Sequence, residues 1–195
     1  MILKEKECMV KRFSALETNY NKSQFLNDQN AIELSLEEKK NFELTQIAAW
    51  PNTIDSVGLK VANHLRLNKY PLANQVISND KHTMMRTEPL KWWIIGTDIP
   101  LLSTQEATTL DLSHSFVHIE ISGIKTTDFL KKHLSIDLRD DNFVVNSIAS
   151  SAIHHVSIKL WRTNNSYHLF IPRGFGLSLW EIFLETAKQY NFNIK

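Results

Sequence analysis

The chain has 195 residues, 43% of them apolar and 22% charged, which suits one folded domain with a conventional hydrophobic core and excludes a disordered segment. A formal net charge of +1, with both signs spread evenly along the chain, gives no electrostatic reason to expect nucleic acid or an anionic membrane as partner. No apolar run approaches the roughly 20 residues of a membrane span, and charges at Lys4, Glu5, Lys6 and Glu7 stand where a signal peptide needs its apolar core, so a cytoplasmic location is expected.

Residues 1–40 read as a polar N-terminal extension rich in Lys, Glu, Asn and Ser, with Phe13, Leu16, Tyr20, Phe25 and Leu26 scattered through it. Such a stretch buries little by itself; it either lies along a partner surface or frays around one short helix. Its Cys8 is the only cysteine, which rules out an internal disulfide and a cysteine-based zinc cluster. Residues 41–195 read as one compact unit.

The stretch 42–50 predicts a strand stopped by Pro51. A helix follows: Asn52 or Thr53 caps it, Asp55 suits its positive end, and Ile54, Val57, Val61 and Leu65 recur at helical spacing. It is expected to end near Asn68, before polar, turn-prone sequence that runs through Asp80. Residues 90–96 are apolar on both faces, which predicts a strand with cover on each side. In 114–121 the alternation sets Val117, Ile119 and Ile121 against Phe116, His118 and Glu120, and Ser122-Gly123 stops the strand. A helix is expected over 125–133 with Phe129 and Leu130 inward, then a strand near 143–149. Val156, Ile158 and Leu160 face Tyr167, Leu169 and Ile171 across a turn at 163–166, a hairpin whose asparagines tolerate positive φ. The last helix, 176–190, carries Leu177, Trp180, Phe183, Leu184 and Ala187. This order is that of an α+β unit in which antiparallel or mixed sheets pack against helices, and ferredoxin-like split βαβ units share it.

Catalytic signatures are sparse. With five glycines the chain has neither a Gly-x-Gly-x-x-Gly turn nor a phosphate loop. Arg173-Gly-Phe-Gly176 brings two of them to a helix start, where backbone N–H groups and Arg173 make an anion site, or where the glycines simply allow a tight turn. The histidines are His64, His82, His114, His118, His133, His154, His155 and His168. His114 and His118 share a strand face but sit roughly 13 Å apart, too far for one metal, and His154 and His155 point to opposite faces. A satisfied or solvent-facing side chain is the expectation for each. Asp137, Asp140 and Asp141, flanked by Arg139 and Asn142, read as loop residues; a general base would need one of them in a dry pocket. No catalytic, cofactor-binding or metal-ligating residue is assigned.

Asp111-Leu-Ser-His114, the short alternating strand, Ser122-Gly123, and Phe129-Leu130 leading to Ile136-Asp-Leu138 together resemble the glycine-cleavage T-protein and folate-binding superfamily. Within it the pattern is similar to the gamma subunit of heterotetrameric sarcosine oxidase. The resemblance also takes in Trp50-Pro51, Pro89-Leu-Lys-Trp-Trp93 with Gly96, Leu160-Trp-Arg162, and Pro172-Arg-Gly-Phe-Gly176 followed by Leu179-Trp180, roughly residues 45 to 192. It implies a T-protein-like fold and a supporting, non-catalytic chain packed on an alpha subunit. Alpha and beta subunits would carry FAD, FMN, NAD and the tetrahydrofolate site, and a delta subunit would bind zinc. Such a complex oxidises the N-methyl group of sarcosine to give glycine and hydrogen peroxide, and passes the one-carbon unit to tetrahydrofolate. Full aminomethyltransferases of the superfamily are nearly twice this length and use an Asn-Gly…Asp region to orient folate. Here Asn146-Ser-Ile-Ala-Ser150 stands near that place without the Asn-Gly pair. The alternative readings are a free-standing folate-binding or aminomethyltransferase-like protein, and an adaptor for iron–sulfur or one-carbon enzymes.

Overall fold

The computed structural model describes residues 13–17, 20, 23–25 and 31–195. In chain order the strands are β1 (Ser23–Phe25), β2 (Leu34–Glu38), β3 (Leu44–Ala49), β4 (Val76–Ser78), β5 (Thr83–Glu88) and β6 (Lys91–Ile95). They continue with β7 (Ala107–Asp111), β8 (Phe116–Ser122), β9 (Ile148–Ile153), β10 (Val156–Arg162), β11 (Ser166–Pro172) and β12 (Phe192–Ile194). The helices are α1 (Ile54–His64), between β3 and β4; α2 (Thr126–Leu130), after β8; and α3 (Gly176–Ala187), after β11.

The strands form a seven-stranded sheet in the order β1-β12-β2-β8-β11-β10-β9 and a five-stranded sheet in the order β4-β5-β6-β3-β7. Every pairing is antiparallel except β12 beside β2, so the α+β class with antiparallel and mixed sheets holds. Apolar contacts sort the elements into four layers. Phe129 and Leu130 of α2, with Trp180 and Phe183 of α3, join Leu36, Ile119, Leu160 and Leu169 on one face of the larger sheet. Val57 and Val61 of α1 join Ile47, Trp92 and Ile94 on one face of the smaller. Between the sheets, Leu44, Met85 and Trp93 meet Ile148, Trp161 and Phe170. The adjacent Trp92 and Trp93 point to opposite sides of β6, one beneath α1 and one between the sheets, which is the two-sided cover that residues 90–96 predict.

Local sequence accounts for the element ends. Thr53 occupies the N-cap position of α1, but its side chain makes no cap bond; its hydroxyl donates instead to the Glu106 carbonyl at 2.6 Å, tying the helix start to the loop before β7. Gly123 has φ +116°, and a Cβ there would lie 2.3 Å from the Glu33 carbonyl oxygen, so the β8 end needs glycine for both conformation and space.

Several expectations are corrected. Leu34–Glu38, inside the stretch read as an extension up to residue 40, is an inner strand of the larger sheet, with Leu34 and Leu36 fully buried. Tyr20 is also fixed, stacking on Trp180 at 5.4 Å and donating its hydroxyl to the Lys195 carbonyl. The rest of the extension, with Cys8 and Leu26, lies outside the described residues, and of Phe25 only the backbone is described. The strand expected near 143–149 begins only at Ile148, because 143–147 form turns closed by Asn146 at φ +63°. His154 and His155 are not strand residues: at φ +45° and +71° they form the two-residue turn between β9 and β10, the positive-φ pair that a tight hairpin requires. The β10–β11 hairpin exists as read, yet Asn164 and Asn165 do not use positive φ. Among the described residues, no helix is long and apolar enough to cross a membrane.

Candidate functional site

The chain leaves the larger sheet at the end of β2 and enters the smaller at β3. A cleft of about 380 Å³ opens beside that crossing. Its walls come from the 39–43 connector, the approach to β8 at 113–118, Arg173, and the turn at 13–17. Asn41 turns the connector with φ +57°, and the Lys39 amide donates to the His118 carbonyl at 2.8 Å, anchoring it. Two of the walls belong to segments that the sequence left without a role, the 13–17 turn and the connector.

Behind the cleft, a polar seam crosses the larger sheet on the face turned toward the smaller one. Glu37 of β2 lies opposite Glu120 of β8, which lies opposite His168 of β11. Two carboxylates directly across a ladder repel, and Lys39 resolves this by bridging both, at 2.9 Å to Glu37 and 2.6 Å to Glu120. Burial disfavours the ionised Glu120, but hydrogen bonds from Lys39 and Ser166 outweigh it and hold its pKa below the usual value. His168 and His118 are diagonal neighbours on the same face, joined Nδ1 to Nε2 at 2.9 Å.

The donors along this seam run one way. Ser166 Oγ lies 2.8 Å from Thr163 Oγ1 and 3.2 Å from His168 Nε2, and Thr163 commits its own proton to the Ser166 carbonyl at 3.0 Å. The Ser166 hydroxyl therefore donates to Thr163 or to the Glu120 carboxylate, and its Oγ accepts from His168 Nε2–H. His168 Nδ1 is then the acceptor for His118 Nε2–H. That leaves His118 Nδ1 as a bare acceptor, buried and without a hydrogen-bond partner. Burial, followed by the His168 and Lys39 charges, pushes the His118 pKa well below its ordinary value. Burial likewise brings His168 down to about 4 against the pull of Glu120. Both rings are thus neutral at physiological pH, and each stacks on an aromatic: His118 on Phe170 and His168 on Trp161, both at 4.4 Å. The expectation of a satisfied or solvent-facing histidine therefore holds for His168 but not for His118, nor for His133, whose Nε2 is also buried without a partner.

The other sequence candidates take these places. Arg173 lines the cleft, its guanidinium donating to the Phe13 carbonyl and its amide to the Ser115 carbonyl at 2.8 Å. A Cβ on Gly176 would meet Val117 Cγ2 at 2.6 Å, so that glycine serves the packing of α3 on β8, while Gly174 faces open space. Asp137 accepts from Arg139 Nε at 2.9 Å and from Asn142 at 2.5 Å, and these contacts hold its pKa far below the carboxylate range. Asp140 pairs with Arg162 at 2.6 Å. Asp137 thus has the chemistry of a loop-closing acid and not of a general base. Asn146 is a turn residue whose carbonyl accepts from Val76 N–H at 2.8 Å. His133 packs against Phe129 and Phe183, and burial lowers its pKa to about 4. Among the described residues, no three His, Cys, Asp or Glu side chains come together as a metal site requires.

No protein-family model matches the sequence, and a search of characterised proteins finds no match. Solved structures do match. A chain of the heterotetrameric sarcosine oxidase from Corynebacterium sp. U-96, in complex with pyrrole 2-carboxylate, superposes with a TM-score of 0.71 at 17% identity, over 81% of this chain and 85% of that one. The glycine cleavage system aminomethyltransferase T from Bartonella henselae superposes with a TM-score of 0.55 at 10% identity, over 84% of this chain and 47% of that one. The chain spans about half the length of that aminomethyltransferase. At these identities the likeness establishes a shared architecture, and the fold of this chain is that of the sarcosine oxidase chain and of the glycine cleavage T-protein.

Proposed function

We propose that this chain is the gamma-type, non-catalytic subunit of a cytoplasmic, heterotetrameric sarcosine oxidase-like complex. It packs on an alpha subunit and completes an assembly with beta and delta subunits. That assembly demethylates sarcosine oxidatively to glycine and passes the carbon to tetrahydrofolate. FAD, FMN, NAD, tetrahydrofolate and zinc belong, in this reading, to the partner chains. The observation that supports it is the extent of the two superpositions: the match with the sarcosine oxidase chain takes in 81% of this chain and 85% of that one, whereas only 47% of the aminomethyltransferase has a counterpart here. A second observation supports a partner. Trp50 and Leu90 are exposed at one end of the smaller sheet, where Ala49 N–H reaches the Leu90 carbonyl and the Trp50 indole reaches the Thr104 carbonyl, both at 3.0 Å.

Tagged chain recovered from its native source should arrive with larger, yellow, flavin-bearing chains and with sarcosine-dependent peroxide formation. Recovery as a soluble monomer that binds tetrahydrofolate tightly and carries aminomethyltransferase activity would replace this reading with that of a free-standing enzyme.

A further inference from the structure

We propose that the cleft beside His118 is a binding site for a small, uncharged, flat molecule carrying an N–H donor, an N–H heteroarene or an amide. The proposal stands apart from the subunit reading, because it uses only groups of this chain. Three features fix the ligand class.

The first is the unmet acceptor. The seam of Thr163, Ser166 and His168 orients its donors so that His118 Nε2 gives its proton inward and Nδ1 keeps its lone pair. That atom is buried, in a side chain only 5% exposed, and has no partner. A buried acceptor without a donor is destabilising unless something else supplies one, and His118 forms part of the cleft wall. A carboxylate alone would place lone pair against lone pair there; an N–H satisfies it.

The second is charge. Lys39, Lys40 and Arg173 on the walls are matched by Glu17, Glu38 and Glu43, so the lining has no net charge with which to collect an ion. Two of these cations are already committed: Lys39 to Glu37 and Glu120 behind the cleft, and Lys40 to Glu38 at 3.8 Å.

The third is shape. Half-buried Phe42 and Phe116 supply aromatic wall, and Phe42 meets the His118 ring edge-on with centroids 5.1 Å apart. Phe42 rides on the connector turned by Asn41, and we assign it as the side chain that screens Nδ1 and swings aside when a donor enters. A volume of about 380 Å³ lies at the small end of the range for ligand pockets.

Indole and 1-methylindole differ in the one atom that matters, and titrating each into the full chain tests the proposal by ligand-observed NMR. Indole should bind about tenfold more tightly, the factor that one net hydrogen bond provides. His118→Phe should erase the difference by weakening indole alone. Since that variant removes a partner of His168 and the fold could suffer, the ¹⁵N resonance of His118 Nδ1 in the unaltered chain gives a second reading. It should report a bare nitrogen in the free protein and should move with indole but not with 1-methylindole. Equal affinities, no binding of either compound up to millimolar concentration, or a protonated Nδ1 in the free protein would each overturn the proposal.

Discussion

Acidification provides a direct test of the polar seam. His168 has an ordinary pKa near 6.5, and burial brings it to about 4 in the folded chain. In the unfolded chain it takes up a proton as the pH drops through about 6.5, while the folded chain resists until about 4. Stability from the neutral ring is therefore complete above about pH 6.5 and is lost progressively as the pH falls toward 4. The linkage gives about 2 kcal/mol of loss between pH 7 and pH 5 from His168 alone, and about 3 kcal/mol by pH 4. His118, displaced in the same direction, adds to the slope. Urea unfolding of the full chain at several values from pH 7.5 to 4.5 measures this, with His168→Asn as the control. The Asn side-chain oxygen still accepts from His118 Nε2–H but does not titrate, and contributions from His133 and from carboxylates away from the seam cancel in the comparison. The variant should lose about 2 kcal/mol less than the parent between pH 7 and pH 5. Parallel pH profiles for the two proteins would refute the assignment of a neutral, buried His168.

Gly123→Ala should destabilise the chain by about 3–5 kcal/mol in chemical denaturation, since it sets a Cβ against the Glu33 backbone at a positive φ, whereas Gly174→Ala, which meets nothing within 4 Å, should stay within about 0.5 kcal/mol. Tyr20→Phe removes the hydroxyl that donates to the Lys195 carbonyl and accepts from the Glu38 amide, and a loss of about 1–2 kcal/mol is expected with the Trp180 stacking retained. Asp137→Asn should leave the urea midpoint and any activity of a purified complex essentially unchanged, because the carboxylate faces Arg139 and Asn142 at an exposed loop.

Elements with a strong one-sided or two-sided pattern were legible in the sequence. The stripe through Val57 and Val61 gave α1, the alternation in 116–122 gave β8 with its faces assigned, and the paired tryptophans gave β6. Strand β2 also alternates, Leu34 and Leu36 against Ser35 and Glu37, but escaped notice inside a polar stretch, whereas β4, β5, β7 and β12 lack such a pattern for identifiable reasons. In β7, Thr108 to Asp111 are all exposed at the edge of the smaller sheet, so no alternation is imposed. In β5, Met84 packs toward α1 and Met85 between the sheets, so an unbranched pair covered on both sides carries no strand signature. β4 and β12 are three residues long, too short for any period. Turn preference misled in both hairpins: the histidine pair adopts positive φ and the asparagine pair does not, because strand register sets the loop length and the residues present must comply.

The candidate site was hidden for a different reason. His118 and His168 are 50 residues apart in sequence, and each alone reads as an ordinary strand histidine. Only the β8–β11 register brings them together, and only the Glu37–Glu120–His168 row across three strands shows why the ring protons point as they do. The position of this row follows from the architecture. A seven-stranded sheet facing a five-stranded one extends beyond it by two strands, or about 10 Å at the usual spacing. Toward β9 the facing side chains are Ile148, Trp161 and Phe170, which pack against Met85 and Trp93. Toward β2 and β12 they become Glu37, Ser35 and Asn193, which bond among themselves and to their neighbours. The two histidines stand where one regime gives way to the other, close enough to the apolar layer to be kept neutral and close enough to the cleft for His118 to form part of its wall.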